Sequence, residues 1–245
     1  MITARQPEHW RELQQEVAQV LAQCQIDVEI EKTVRLARGS AEIDVYAVET
    51  VRGRTVTIFC ECKNWRASVP QHVVHSFRSI VADGGANVGY LITSSAFQRG
   101  AFTAAELTSL RLVTWQEFQA EFEQTWVTRY LRPKVTERLD PLFTYVEPIL
   151  PRSFDSLSRP RKRAYLAVRD RHLELGALAM LFTTAAEQLS LGLPELPLRE
   201  RFRDGSIEST LPPEILDAVA YRDLLDVLLP CGESAIGELR AALTP

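Results

Sequence analysis

Apolar residues recur at three- and four-residue steps from Glu8 to about Cys24, where Leu13, Val17, Val20 and Leu21 share one face, and this spacing predicts a first helix. From Asp27 to Leu36 the period drops to two: Val28, Ile30, Val34 and Leu36 alternate with charges, as in a half-buried strand. ARGSAE then turns the chain. The runs EIDVYAVE and TVTIFCEC are rich in β-branched and aromatic residues, and the TVRGR between them carries Gly53, so they predict a hairpin of adjacent antiparallel strands. SVPQHVVHSFRSIVADGG predicts a second helix, entered at Pro70, striped by Val73, Val74, Phe77, Ile80 and Val81, and stopped at Gly84. NVGYLITSS is apolar almost throughout, as a strand covered on both faces requires. A short helix in FQRGAFTAAELTSL, a strand RLVTW and a helix from about Gln116 to Tyr130 complete an αβββαβαβ order.

Beyond Arg132 alternation disappears, and prolines punctuate amphipathic stretches such as RAYLAVRDRHLELGALAMLFTTAAEQL. The expected organisation is an α/β domain over 1–125 and an all-helical domain over 126–245. LGLPELPLRERFRDG is expected to lead to a last helical segment containing LPPEILDAVAYRDLLDVLL, its helix started by Pro212 or Pro213.

Composition adds limits. The chain has 245 residues, 46% of them hydrophobic, enough for a sizeable core. No stretch reaches the roughly 20 apolar residues of a membrane span, and the opening MITARQPEHWRELQQ lacks a signal-peptide pattern. With only Cys24, Cys60, Cys62 and Cys231, irregularly spaced, reduced thiols and a cytoplasmic protein are expected. A net charge of -4 excludes a uniformly basic coat but not local basic surfaces. One such surface is RPRKRAYLAVRDR, with Arg159, Arg161, Lys162, Arg163, Arg169 and Arg171 against Asp170 alone.

Within TIFCECKNW the side chains of Glu61 and Lys63 share one face of a strand, and Cys60 and Cys62 the other, where they read as packing residues. A zinc site would need more Cys or His at suitable spacing. An exposed edge strand with a same-face ion pair is one account of Glu61 and Lys63. The preceding strand points elsewhere, because Asp44 interrupts its apolar run where a hairpin brings it beside Glu61. Two converging carboxylates repel unless a cation lies between them, and oxygen ligands favour Mg2+. A neighbouring lysine can hold a water or offset charge on a phosphoryl group, which is what phosphodiester hydrolysis needs.

The Asp44 strand (EIDV), the strand CECKNW, the helix VPQHVVHSF and the segment GYLITSSAFQRGAFTAAE together resemble the Mrr-like branch of the PD-(D/E)xK restriction-endonuclease-like nucleases, over roughly residues 8 to 120. That resemblance implies an αβββαβ core with a mixed sheet and Mg2+-dependent DNA hydrolysis, Mn2+ being a substitute. It implies Asp44, Glu61 and the backbone carbonyl of Cys62 as metal ligands, Lys63 as the residue that positions or activates water, and Gln71 in a supporting role. Relatives carry a glutamate in the first helix; here Gln14 falls at that position, with Glu12 and Glu16 nearby. It further implies a restriction or anti-phage role beside partner proteins of a defence complex. Double-strand cleavage would favour a homodimer, because one active site cuts one strand at a time.

Arg66, Thr93, Ser94 and Arg99 are candidate phosphate contacts in the first domain, and Arg161, Lys162 and Arg163 in the second. Each has a plainer account: a cap of the next helix for Thr93 and Ser94, together with Ser95, and a solvated face for the basic residues. His72 and His75, a helical turn apart, are within reach of DNA or the active site on one reading and are surface or packing residues on the plainer one. No G-x-x-x-x-G-K-[ST] phosphate loop is present, so an ATP motor is not expected. The readings that compete with a DNA endonuclease are a non-cleaving assembly subunit with the same fold and a nuclease of RNA or of damaged DNA.

Overall fold

The computed structural model describes residues 1–202 and 209–244 and divides into two compact units, Arg5–Arg129 and Tyr130–Pro245 with Met1–Ala4. Arg203 to Gly205, the end of the expected linker, lies outside the described residues.

The first unit runs α1 (Trp10–Gln23), β1 (Asp27–Leu36), β2 (Gly39–Val51), β3 (Arg54–Lys63), α2 (Gln71–Asp83), β4 (Val88–Thr93), α3 (Arg99–Ala105), β5 (Leu110–Thr114) and α4 (Trp115–Trp126). Its five strands lie in the order β1-β2-β3-β4-β5. The first three are antiparallel, and β3, β4 and β5 are parallel, so the sheet is mixed. A parallel pair needs a crossover, and α2 and α3 supply the two required here. The β2–β3 hairpin closes on Arg52 and Gly53, both at positive φ (50° and 77°), the conformation a tight two-residue turn demands.

The sheet is covered on both faces. On one, Phe59 and Leu91 pack with Val74, Phe77 and Val81 of α2 and with Ala101 and Ala104 of α3. On the other, Tyr90 lies edge-on to Phe118 of α4, and Trp115 stacks on Phe118. α2 comes close enough to β4 that a Cβ added at Gly89 would lie 2.5 Å from Val81 Cγ2 and 2.7 Å from Leu110 Cδ2. Gly89→Ala is expected to destabilise this unit by about 1–3 kcal/mol through overpacking, read as a lowered urea midpoint with unchanged slope.

Strand alternation breaks midway along the β1–β2 hairpin. Pairing between the two strands is continuous except at Glu31 and Asp44, which face each other between the pairs Ile30–Val45 and Lys32–Ile43. Glu31 has φ +53°, a left-handed conformation unusual for a residue that is not glycine. Ile43 and Tyr46, three apart and therefore on opposite faces of a regular strand, both pack in the cluster around Phe59. The hairpin is kinked at Asp44.

The second unit is helical: α5 (Arg132–Val146), α6 (Arg159–Met180), α7 (Thr184–Gln188), α8 (Pro213–Asp217) and α9 (Tyr221–Leu243), with short 3-10 turns at Arg152–Phe154 and Leu198–Phe202. Glycines let the long helices approach: a Cβ at Gly176 would lie 2.6 Å from Val146 Cγ2, and one at Gly232 2.6 Å from Leu139 Cδ2. Pro141 and Pro230 sit inside α5 and α9. The last segment is two helices rather than the single one expected. The amides of Tyr221 and Arg222 donate to the carbonyls of Met1 and Ile2 (3.2 and 2.8 Å), so the helix begins afresh at Tyr221. The side chain of Thr3 donates to Asp223 Oδ1 at 3.2 Å, which explains why Met1–Ala4 belong to this unit. The division at Arg129 falls within a turn of π-helix, Val127–Leu131, whereas the expected boundary at 125 falls inside α4.

Candidate active site

β3 is the middle strand of the sheet, which removes the edge-strand account of Glu61 and Lys63. Alternation puts Cys60 and Cys62 in the core, 0% and 4% exposed, where burial pushes both thiols up. Glu61 and Lys63 face the other way, with side chains 20% and 22% exposed, and the Lys63 ammonium donates to Glu61 Oε1.

Asp44 joins them from β2. Regular β2–β3 pairing stops at Val45–Cys60, one position short of Asp44 and Glu61. There the amide of Cys62 donates to Asp44 Oδ2 at 2.7 Å, so a side-chain oxygen takes the place of the next main-chain acceptor. The kink in β2 allows this, because it turns Asp44 into the gap at the end of the ladder. α1 supports the same point: buried Gln14 donates from Nε2 to the Asp44 carbonyl at 2.8 Å.

Charge is concentrated here. Burial, and next the neighbouring Glu61 carboxylate, hold the Asp44 carboxyl above its ordinary range, with Glu31 adding to the effect. The Cys62 amide and the Lys63 ammonium pull the other way. Glu31 is the residue that sequence reading missed: its spacing in DVEIEKTVRL looks like any solvated strand position, and its influence depends on facing Asp44 across the sheet.

Several expected site residues are placed differently from one another. Thr93 is buried, and its hydroxyl donates to the Lys63 carbonyl at 2.9 Å, tying β4 to the end of β3. Ser94 donates to Asn64 Oδ1 and Ser95 to the Ala67 carbonyl. None of the three caps α3, whose N-cap is Gln98 without a side-chain bond, so the capping account is corrected. Gln71 opens α2, with its amide nitrogen 3.1 Å from His75 Nε2 and its side chain against Gly100 of α3. Arg66 and Arg99 are exposed. Glu12 receives Arg5 and the Glu8 amide at the start of α1, and Glu16 is buried. In the helical unit the Arg161 guanidinium donates to the Thr244 carbonyl, Lys162 Nζ lies 5.3 Å from the Phe154 ring centroid, and Arg163 is exposed.

Two carboxylates and a main-chain carbonyl suit Mg2+, which commonly takes one or two carboxylates and keeps several waters. Among the described residues no three His, Cys, Asp or Glu side chains group into a cage, so an ion here would rely on that smaller donor set.

A mixed five-stranded sheet flanked by helices, followed by a helical region, is a restriction-endonuclease-like α/β architecture. Residues 6–122 match the Mrr_cat family model, described as restriction endonuclease. The match supports a restriction-endonuclease-like nuclease domain over these residues, and the resemblance seen in the sequence is borne out there. No curated protein matches the chain. A solved structure titled "Crystal Structure of Protein of Unknown Function AF1548" is similar at 15% identity over 93% of this chain and 98% of that one, with a TM-score of 0.39. No helix among the described residues is long and apolar enough to cross a membrane.

Proposed function

We propose that the protein is a Mg2+-dependent DNA endonuclease, with Mn2+ as a substitute metal, in which Asp44, Glu61 and the Cys62 carbonyl hold the ion. One observation carries the reading: Asp44 leaves its strand ladder to lie beside Glu61 and is fixed there by the Cys62 amide. A bound Mg2+ would supply Lewis-acid polarisation of the scissile phosphate. The chain's own part begins with Lys63, whose ammonium, oriented by Glu61, donates to the attacking water or to a phosphoryl oxygen as negative charge develops. Gln14 keeps the Asp44 backbone in place, so the carboxylate needs little reorganisation.

The exposed arginines at the start of α6, with Arg66 and Arg99 of the nuclease unit, are proposed to hold phosphates without reading sequence. By analogy with the family's fold alone, the biological setting is cytoplasmic restriction or anti-phage defence, as a homodimer or beside partner proteins. The test is closed circular plasmid incubated with the full chain and Mg2+. Nicking or linearisation that stops in EDTA is expected. Asp44→Ala protein, checked by circular dichroism to be folded, should leave the plasmid closed. Equal behaviour of wild type and variant would remove the nuclease reading and favour the non-cleaving assembly subunit.

A further inference from the structure

We propose that Trp65 is a stacking platform for an unpaired nucleobase, so that the preferred substrate has an unpaired nucleotide beside the bond to be cut; this rests on the nuclease reading above. Trp65 lies two residues beyond Lys63, just after the end of β3, and its residue surface is 41% exposed. A partly exposed indole is ordinary on a mobile loop, but this segment is pinned on both sides of the ring. Before it, Asn64 donates from Nδ2 to the Pro7 carbonyl at 3.2 Å and accepts from the Ser94 hydroxyl. After it, the Ala67 carbonyl accepts from Ser95 Oγ at 3.0 Å, and Val69 donates to the Ala96 carbonyl at 2.8 Å and accepts from the Gln98 amide at 3.0 Å.

The Lys63 ammonium lies 5.7 Å from the indole centroid, within cation–π range. An exposed aromatic face is therefore held rigidly beside the cation that serves the phosphate, with exposed Arg66 next in the chain. Phosphate beside an aromatic face is how single strands are held, since every base has a π-face and stacking tolerates any sequence. In an intact duplex those faces are covered by neighbouring bases. A gap, flap, junction or single strand presents one without the cost of unstacking. The substrate class inferred is thus DNA with a local unpaired nucleotide rather than uniform duplex.

The experiment uses the full chain carrying Trp10→Phe, because Trp10 is also exposed while Trp115 and Trp126 are fully buried. Affinity is read for every variant from the fluorescence anisotropy of dye-labelled oligothymidylate and of dye-labelled duplex of the same length, and indole quenching is followed in the protein that keeps Trp65, in Ca2+ to hold back cleavage. Expected are quenching by the oligothymidylate, affinity for it at least about tenfold above that for duplex, loss of that preference in Trp65→Ala, and its retention in Trp65→Phe. Faster Mg2+-dependent cleavage of gapped than of closed plasmid should follow the same order. If wild type and Trp65→Ala treat the two DNAs alike while plasmid is still cut, stacking is overturned and the nuclease reading stands. If Trp65→Phe fails as completely as Trp65→Ala, the role is structural and the proposal falls. If no DNA is bound or cut, both readings fall together.

Discussion

Lys63→Ala protein is expected to cut plasmid about 10²–10³-fold more slowly than wild type, the loss seen when one preorganised donor to a developing negative charge is removed. The side chain sits on the middle strand of a sheet packed on both faces, with its ammonium oriented by Glu61. Truncating it deletes a cation but leaves the core intact. An ion pair of this partly exposed kind contributes about 1 kcal/mol or less, so the thermal midpoint should hardly move. Divalent-ion affinity separates this role from metal binding. Without Lys63, Glu61 loses its cationic partner, so Mn2+ affinity measured by calorimetry should be retained or increased, whereas Asp44→Ala should weaken it. Lys63→Arg should recover part of the rate, because the charge returns in a planar group of different reach. Wild-type rates in Lys63→Ala would remove the lysine from the chemistry.

Asp44→Asn should abolish Mg2+-dependent cleavage and yet give a protein more stable than wild type in EDTA near neutral pH. Burial and the nearby Glu61 hold the Asp44 carboxyl above its ordinary range, so the folded chain binds a proton there more tightly than the unfolded chain. The stability this contributes is fully present below the ordinary carboxylate range and is lost as pH rises through the folded value. At neutral pH the ionised group is therefore a net cost. Asparagine avoids that cost and keeps an oxygen to accept from the Cys62 amide. Asp44→Ala provides no such oxygen, and the orphaned amide should cost about 1–3 kcal/mol. Thermal denaturation in EDTA should show the asparagine variant above wild type near neutral pH, with the gap closing on acidification. Added Mg2+ should raise the wild-type midpoint, by linkage to binding, and leave the variant unmoved. An asparagine variant less stable than wild type across the whole range would contradict a net cost of ionising Asp44 in the folded chain.

The elements of the nuclease unit were legible because their signals are local. A two-residue alternation predicts β1 over Asp27–Leu36, the span observed, and Pro70 and Gly84 bracket α2 as expected. The neighbourhood of Asp44 and Glu61 was legible for the same reason, since the tight turn at Arg52 and Gly53 sets the register that brings them together. The helical unit was harder. Proline was read as punctuation, but α5 and α9 continue through Pro141 and Pro230. The break before Tyr221 comes from Met1 and Ile2, more than two hundred residues away in sequence.

By itself, then, the sequence determined which side chains share a face: Glu61 with Lys63, and Cys60 with Cys62 toward the core, because strand geometry follows from spacing alone. Tertiary structure decided what each group does there. The kink opposite Glu31 turns Asp44 into the gap beside β3, Gln14 crosses from α1 to fix its backbone, and Thr93 takes up the Lys63 carbonyl instead of facing solvent. Those outcomes depend on hydrogen bonds between residues distant in the chain, and no period or composition within one segment encodes them.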